Sequence, residues 1–380
     1  DPTIRFNAVD ALMFLACAWR SLAVLTNHGT SEVIFVGSSF MELFFGYLLG
    51  RVYIRNANDY VYLFKCFVIF LIVSLPFAVL EAVLRRRVLR DIFSVFFFHS
   101  ERSMDGGQIR FGLLRPLVSF EHALLFGTFC AIGLGNVFYI FKGQPTRQAP
   151  LVAFVSLITF LAISTSSIIN ILMQYGMIFY NQIFKPLKTR WLWAFLGALL
   201  FLLFFQAIFG MNVIEYAALE LAFVEASGST RLGQIEYGLK EVYRNPVFGI
   251  GLAEWTRPFW QSSVFDNFWL GTMVRFGIPT AAFLVLVFVV HTARAASAPY
   301  MTDREKEIRT GHLIPLVALF FTLGMHGLWG GMLVYVMFYI GAGAWIYDTP
   351  RAAPPRPWRR GPVMETPLRV RRKRRGPVIR

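Results

Sequence analysis

Ten apolar stretches, most of them near the roughly 20 residues that a helix needs to cross a bilayer, take up the greater part of this chain. They are 10–26, 32–53, 60–84, 117–141, 149–164, 165–184, 190–211, 266–291, 312–329 and 331–347. The chain is 56% hydrophobic, with 40 Phe, and only 16% charged, against about 25% charged in a soluble domain. Inside a bilayer the backbone must satisfy its own hydrogen bonds. The expected fold class is therefore an all-α polytopic membrane protein of about ten transmembrane helices. The chain begins at Asp1, and nothing before Arg5 resembles a signal peptide, which leaves room for N-terminal spans missing from it.

Basic residues in short loops mark the cytoplasmic side. Here they are Lys142 with Arg147, Lys185 with Lys188 and Arg190, and the group Arg294, Arg304, Lys306 and Arg309. With those loops inside, the long segments 85–116 and 212–265 fall outside, on the periplasmic face if the membrane is a bacterial inner membrane. Two regions result, a transmembrane helical domain over 1–350 and a tail over 351–380. The tail holds eleven Arg/Lys against one acid, Glu365, and six Pro; it reads as a disordered, basic cytoplasmic tail that touches anionic lipid. No aromatic side chain interleaves with Arg371–Arg375, so nucleic acid is not an expected partner. Arg85, Arg86, Arg87 and Arg90 break the charge bias; they either reach outer-leaflet phosphates or attract an anionic lipid-linked substrate. Cys17, Cys66 and Cys130 lie in apolar runs without metal-like spacing, and no metal or cofactor is expected.

Two external segments carry the chemistry. In 85–116, Val88, Ile92, Val95 and Phe96 recur at helical spacing and predict an interfacial helix, ended by the Asp105-Gly-Gly107 turn. Then Arg110, Arg115, Glu121 and His122 gather where an apolar helix begins at Ala123. Arg suits bidentate phosphate binding, and Glu or His suits proton abstraction; alternatively, Glu121 pairs with Arg115 or Arg110 and pins the helix. In 212–265, Leu232, Ile235, Leu239 and Val242 predict one face of an amphipathic helix, with Glu236, Lys240 and Glu241 on others. Arg231 opens that helix and Asn245-Pro246 stops it. Phe248-Gly-Ile-Gly251 predicts a close-approach turn, weak as a phosphate loop. Trp255, Trp260 and Trp269 suit an interfacial aromatic belt or sugar stacking. Arg257, Asp266 and Arg275 flank or enter the next span, which Gly277-Ile-Pro279 should interrupt.

These residues resemble the O-antigen ligase/polymerase family, membrane glycosyltransferases of bacterial surface polysaccharides. The resemblance rests on Arg231, Asn245-Pro-Val-Phe-Gly-Ile-Gly-Leu252, Asp266-Asn267 and Gly277, and on a second block, Arg115-Pro-Leu-Val-Ser-Phe-Glu-His122 with Gly127. Ser164-Thr-Ser-Ser167 stands where members often carry a Ser-rich span. Asp266 occupies the ligases' His position, no Pro follows His122, and the Arg of the Ser-rich motif is absent, a pattern nearer a polymerase than a strict ligase.

The resemblance implies transfer of a polyprenyl-diphosphate-linked glycan to a sugar acceptor, free, lipid-linked or on another molecule, at the outer face. No Asp-x-Asp motif, metal-ligand cluster or phosphate-cradling loop occurs, so the reading is metal-independent: arginines meet the charge of the leaving diphosphate. On it, Arg110, Arg115 and Arg231, with Arg257 and Arg275, bind diphosphate; Glu121 or His122 activates the acceptor hydroxyl, with Asp266 in reserve. Membrane lipids and polysaccharide export or chain-length proteins are the expected partners. A transporter or flippase of lipid-linked glycans and a non-catalytic subunit of a polysaccharide assembly complex are the alternatives.

Overall fold

Capping residues in the sequence mark the starts of several helices. Asn7 accepts the N–H groups of Val9 and Asp10 at the start of α1 (Ala8–His28), and Asp10 reaches back to the Asn7 N–H. Asn56 caps α4 (Ala57–Leu84) by accepting the N–H groups of Asn58 and Asp59. Between them the chain runs through α2 (Val33–Phe40), a π-helical turn, and α3 (Gly46–Tyr53). Phe14 packs on Phe40 and Phe44, and Tyr47 donates to Asp10 at 2.6 Å, so this arm lies antiparallel to α1.

This computed structural model describes residues 6–94, 109–187, 189–209 and 225–349; for 225–231 only the backbone course is described. The basic tail, the turn at Asp105-Gly-Gly107 and all of 212–224 lie outside those residues. After α4 come α5 (Val88–Ser94), a minimal hairpin of β1 (Ile109–Arg110) and β2 (Leu113–Leu114), α6 (Ala123–Ile140), α7 (Pro145–Leu161), α8 (Thr165–Ile183) and α9 (Arg190–Phe209). There follow α10 (Glu225–Arg244), α11 (Phe268–Ala296), α12 (Asp303–Thr322), α13 (Gly330–Ala342) and the single turn α14 (Trp345–Asp348). The interfacial helix expected at Val88 is present as α5, but Val95 and Phe96 lie outside the described residues.

The all-α expectation holds, and the chain fits a membrane protein. The count of ten spans does not hold. Among the described residues five helical runs are long and apolar enough to cross a bilayer: Ala8–Tyr53, Ala57–Leu84, Ala123–Ile140, Phe268–Ala296 and Gly330–Asp348. Two expected spans, 10–26 and 32–53, fall within the single run Ala8–Tyr53; α9 is apolar but counts as a shorter stretch, Arg190–Phe204, and the remaining expected spans form helices that are too short or too polar. The helix α7 starts Pro145-Thr-Arg-Gln, α8 carries Asn170, Gln174 and Asn181, and α12 starts Asp303-Arg-Glu-Lys-Glu307.

The centre of the bundle is α6, which is apolar on every side and almost entirely buried, as an all-round hydrophobic helix must be. Around it pack α4, α7, α8 and α12. The polar residues of α8 face inward: Gln174 donates to the Ala131 carbonyl at 2.8 Å and to Asn170, which donates to Thr322 at 2.9 Å. Such cross-helix hydrogen bonds explain why the polar face of α8 is the buried one. Cys17, Cys66 and Cys130 are free thiols.

The interruption expected at Gly277-Ile-Pro279 is present in α11. Gly277 has φ 82° and ψ 165°, outside helical geometry, in the left-handed half of the map that glycine alone occupies cheaply. The cause is tertiary. The turn after α10 docks on the break, with Ile278 N–H donating to the Pro246 carbonyl at 2.8 Å and Ile250 and Gly251 N–H donating to the carbonyls of Val274 and Arg275.

Candidate functional site

The corner between α4 and α6 is built from arginines. Arg85, in the left-handed region at φ 53°, turns the chain out of α4, and its guanidinium donates to the Gly112 carbonyl at 2.6 and 3.0 Å. Arg87 donates to the Arg115 carbonyl at 2.7 Å and lies 3.6 Å from the Glu81 carboxylate. Glu81 is 1% exposed and accepts the N–H groups of Leu117 and Val118. Arg85 and Arg87 therefore hold the 109–118 segment onto α4 rather than reaching out from the surface.

Arg110 and Arg115 point instead to the turn between α7 and α8. Arg110 donates to the Ile163 carbonyl at 3.2 Å, and Arg115 Nε donates to the Ala162 carbonyl at 3.4 Å. Arg115 is 5% exposed and forms no ion pair among the described residues. Burial, reinforced by the like charges of Arg110 and Arg87, pushes its guanidinium down to about 9. It thus stays charged at neutral pH, as a buried cation that no acidic side chain among the described residues neutralises.

Beside these carbonyls α8 begins. Ile163 is held at φ 46°, and Ser164, Thr165, Ser166 and Ser167 are all buried. Ser164 stands at the N-cap but gives the helix no side-chain cap, and the Ser167 hydroxyl is buried without a partner. The first-turn N–H groups of a helix need acceptors and carry a partial positive charge. A buried, uncapped helix start next to a buried, unneutralised arginine is an arrangement suited to an anion.

Glu121 is exposed and, among the described residues, makes neither an ion pair nor a hydrogen bond, so it pairs with neither Arg115 nor Arg110. Its carboxylate rests on Gly330 (φ 55°), where any Cβ would overlap its Oε1. With Arg90, Phe93 and the 118–120 segment it lines an open cleft of about 370 Å³. His122 caps α6: its Nδ1 accepts the Leu124 N–H at 3.1 Å. With Nδ1 so engaged, the neutral ring carries its proton on Nε2.

A loop that hydropathy does not single out joins this region to Asp266. Residues 323–329, between α12 and α13, touch both. The Phe268 N–H donates to the carbonyls of Leu323 and His326 at 2.9 and 3.1 Å, and Gly327 lies against the Phe265 carbonyl. On the other side His326, 1% exposed, has its Nε2 3.4 Å from the Thr128 hydroxyl, and the Trp329 ring is 6.0 Å from His122. His326 was invisible in the sequence because Gly324-Met-His-Gly-Leu-Trp329 averages into an apolar span. The flanking glycines are the only signal that the helix ends there.

No family model, no curated protein and no solved structure matches this chain.

The remaining residues divide by location. Asp266 is half-buried; its N–H donates to Gln234 Oε1 at 2.7 Å, while Gln234 Nε2 donates to the Val264 carbonyl. Gln234 thus straps the 264–266 segment to α10. The buried face of α10 keeps Val242 and Ile235 of the expected one but also takes in Gln234, Gly238 and Glu241, while Leu239 is 39% exposed. Glu241 is buried because it accepts from Asn245 at 2.9 Å and from the Thr256 N–H. Arg257 is held in its own loop by Glu254 at 3.0 Å and by the Gln261 carbonyl. Arg275 belongs to the α1–α11 face, where its carbonyl receives the Gly251 N–H. The side chain of Arg231 lies outside the described residues. Trp255 is buried and donates to the Ser263 carbonyl, and Trp269 packs on Phe288 and Phe320; only Trp260, 60% exposed, keeps a belt-like position.

The turn Asn245–Leu252 is a clamp and not a phosphate loop. Trp19 donates to the Val247 carbonyl at 3.0 Å, Asn27 donates to the Phe248 carbonyl, and the Leu252 N–H donates to His28 Nε2 at 2.7 Å. Its amides and carbonyls are spent on α1 and α11.

Proposed function

We propose that this chain is a membrane glycosyltransferase that moves a glycan from a polyprenyl diphosphate to a sugar hydroxyl, at the face of the membrane where α6 and α8 begin. The observation that carries the reading is Arg115, buried beside the uncapped start of α8 and without an acidic partner among the described residues. Fixed cations and helix-start N–H groups are what a departing diphosphate requires.

In the proposed reaction the acceptor oxygen attacks the anomeric carbon, and the bond from that carbon to the diphosphate oxygen breaks. The diphosphate leaves with the bonding electron pair, and the hydroxyl proton passes to the Glu121 carboxylate. Arg115 and Arg110 take the diphosphate charge. His122, whose Nδ1 is engaged as a helix cap, donates from Nε2. Asp266 and Arg231 act from the second external segment. In this scheme Arg257 supports its own loop, and Arg275 the clamp.

Purified protein in lipid vesicles, given lipid-linked repeat units with no ion gradient, should lengthen the glycan. Arg115→Ala and Glu121→Ala should each abolish growth while the protein inserts and folds normally. Unaltered product ladders in both variants would sink the assignment, and movement of the lipid between leaflets without chemistry would make the protein a transporter.

A further inference from the structure

The cleft beside Glu121 has chemistry of its own. It is lined by Arg90 and Phe93 of α5, by Val118, Ser119 and Phe120, and by Glu121. Its two charged groups face one cavity but are not paired with each other, and among the described residues neither the Arg90 guanidinium nor the Glu121 carboxylate has any other partner. A donor and an acceptor thus line one cavity. Its volume of about 370 Å³ falls in the range of small-molecule sites, about 300–1,000 Å³.

The walls are built rather than incidental. Phe120 is fixed by ring contacts with Phe126 and Phe129 of α6, at 5.8 and 5.0 Å. Val118 is held in the left-handed region at φ 53°, with its N–H on the buried Glu81 carboxylate at 3.2 Å. A β-branched residue rarely adopts that conformation, and backbone outliers that the surroundings impose concentrate at binding sites. Here the outlier curves 118–121 around the cavity.

We infer that this cleft seats the acceptor sugar, a single pyranose ring lying on Phe93 and Phe120 with its hydroxyls between Arg90, Ser119 and Glu121. A sugar hydroxyl accepts from a guanidinium and donates to a carboxylate, and the C–H face of the ring covers apolar and aromatic surface. A zwitterionic phosphoethanolamine headgroup would match the two charges, but it has no ring face for the phenylalanines. The choice of a sugar rests on the transfer reading; the position of the subsite does not.

The test uses the full chain in nanodiscs made of phosphatidylcholine. A panel of methyl hexopyranosides and methyl N-acetylhexosaminides is screened by saturation-transfer NMR, with phosphoethanolamine alongside. At least one pyranoside should show saturation at its ring C–H protons. Arg90→Ala and Phe93→Ala should each weaken it about 10-fold or more, the loss of a charge-assisted hydrogen bond or of a ring contact. Both side chains stand at least partly in solvent, so the fold tolerates their removal. Arg115→Ala should leave sugar binding intact while removing the binding of soluble farnesyl diphosphate. No pyranoside bound, binding indifferent to Arg90 and Phe93, or phosphoethanolamine bound in its place would overturn the inference. Loss of only the diphosphate result would overturn the transfer reading and leave this subsite standing.

Discussion

His291 Nε2 and His312 Nε2 lie 2.9 Å apart in the interior of the bundle, each ring with its other nitrogen on a tyrosine hydroxyl. The direction of every proton in this chain follows from its far end. Asn136 donates from Nδ2 to the Ile132 carbonyl and to Tyr339, which makes its Oδ1 the acceptor for Tyr60 at 2.7 Å. The Tyr60 oxygen must then accept from His312 Nδ1–H. Neutral His312 is bare at Nε2 and accepts from His291 Nε2–H, and His291 Nδ1 accepts the Tyr347 hydroxyl. Five side chains from α4, α6, α11, α12 and α14 are joined head to tail.

Such a chain should be coupled. In a double-mutant cycle on His291→Ala and His312→Ala, the interaction energy is expected in the range of about 0.5–3 kcal/mol for residues of one network. Unfolding of the purified protein in mixed micelles measures it. Strict additivity of the two single losses would refute the shared hydrogen bond.

Arg115 should be more than a charge. Lysine carries the same sign but lacks the planar fork, and it cannot hold the Ala162 carbonyl with Nε while offering its terminal nitrogens elsewhere. Arg115→Lys is expected to lower affinity for a soluble polyprenyl diphosphate by about 10-fold, the scale of one charge-assisted hydrogen bond. Arg257→Ala, at a residue already paired with Glu254, should change it little. Titration calorimetry separates the two, and equal losses would show that the arginines act as undifferentiated positive charge.

The same guanidinium gives a pH signature. Because burial lowers Arg115 to about 9, its charge is present below that pH and is lost as pH rises through it. Diphosphate affinity should therefore be level from neutral pH to about 9 and fall above it, whereas an exposed arginine titrates far higher. The fall should vanish in Arg115→Ala, which is already weak. A wild-type affinity that stays flat to pH 10 would contradict the buried position of this side chain.

Gly277→Ala should damage the clamp. The residue is at φ 82°, and an added Cβ would overlap the Val247 carbonyl, so backbone strain of about 1–3 kcal/mol is joined by a steric clash. A lower unfolding midpoint is expected, with faster proteolysis between 253 and 264 as the turn lifts from α11. Wild-type resistance to protease in this variant would mean the turn is not held by the break.

Local signals carried a good part of this fold. Asn245-Pro246 ends α10 where a proline must, Gly277-Ile-Pro279 breaks α11, and the cysteines lie apart in apolar runs. These features depend on residues adjacent in sequence. The failures share one cause, which is distance. Gln174 and Asn170 lie in a stretch apolar enough to be taken for a span, yet their partners are Ala131 and Thr322 on other helices. Leu239 fits an apolar stripe, yet the inward face of α10 is chosen by what Gln234 and Glu241 bind in the following loop. The grouping of Glu121 with His122 was legible. Their neighbours Gly330, Trp329 and His326 come from some two hundred residues away, and no window along the chain could supply them.

Glu121 faces its cleft because Gly330 has nothing to put in its way. That makes the position with no side chain the gatekeeper of the one proposed as the base. Replacing each charged residue in turn would map the electrostatics of this corner and pass over residue 330, although a single methyl group there would evict the carboxylate and leave every charge in the protein unchanged. The functional footprint of this site is therefore wider than its chemistry, and part of it consists of space kept empty.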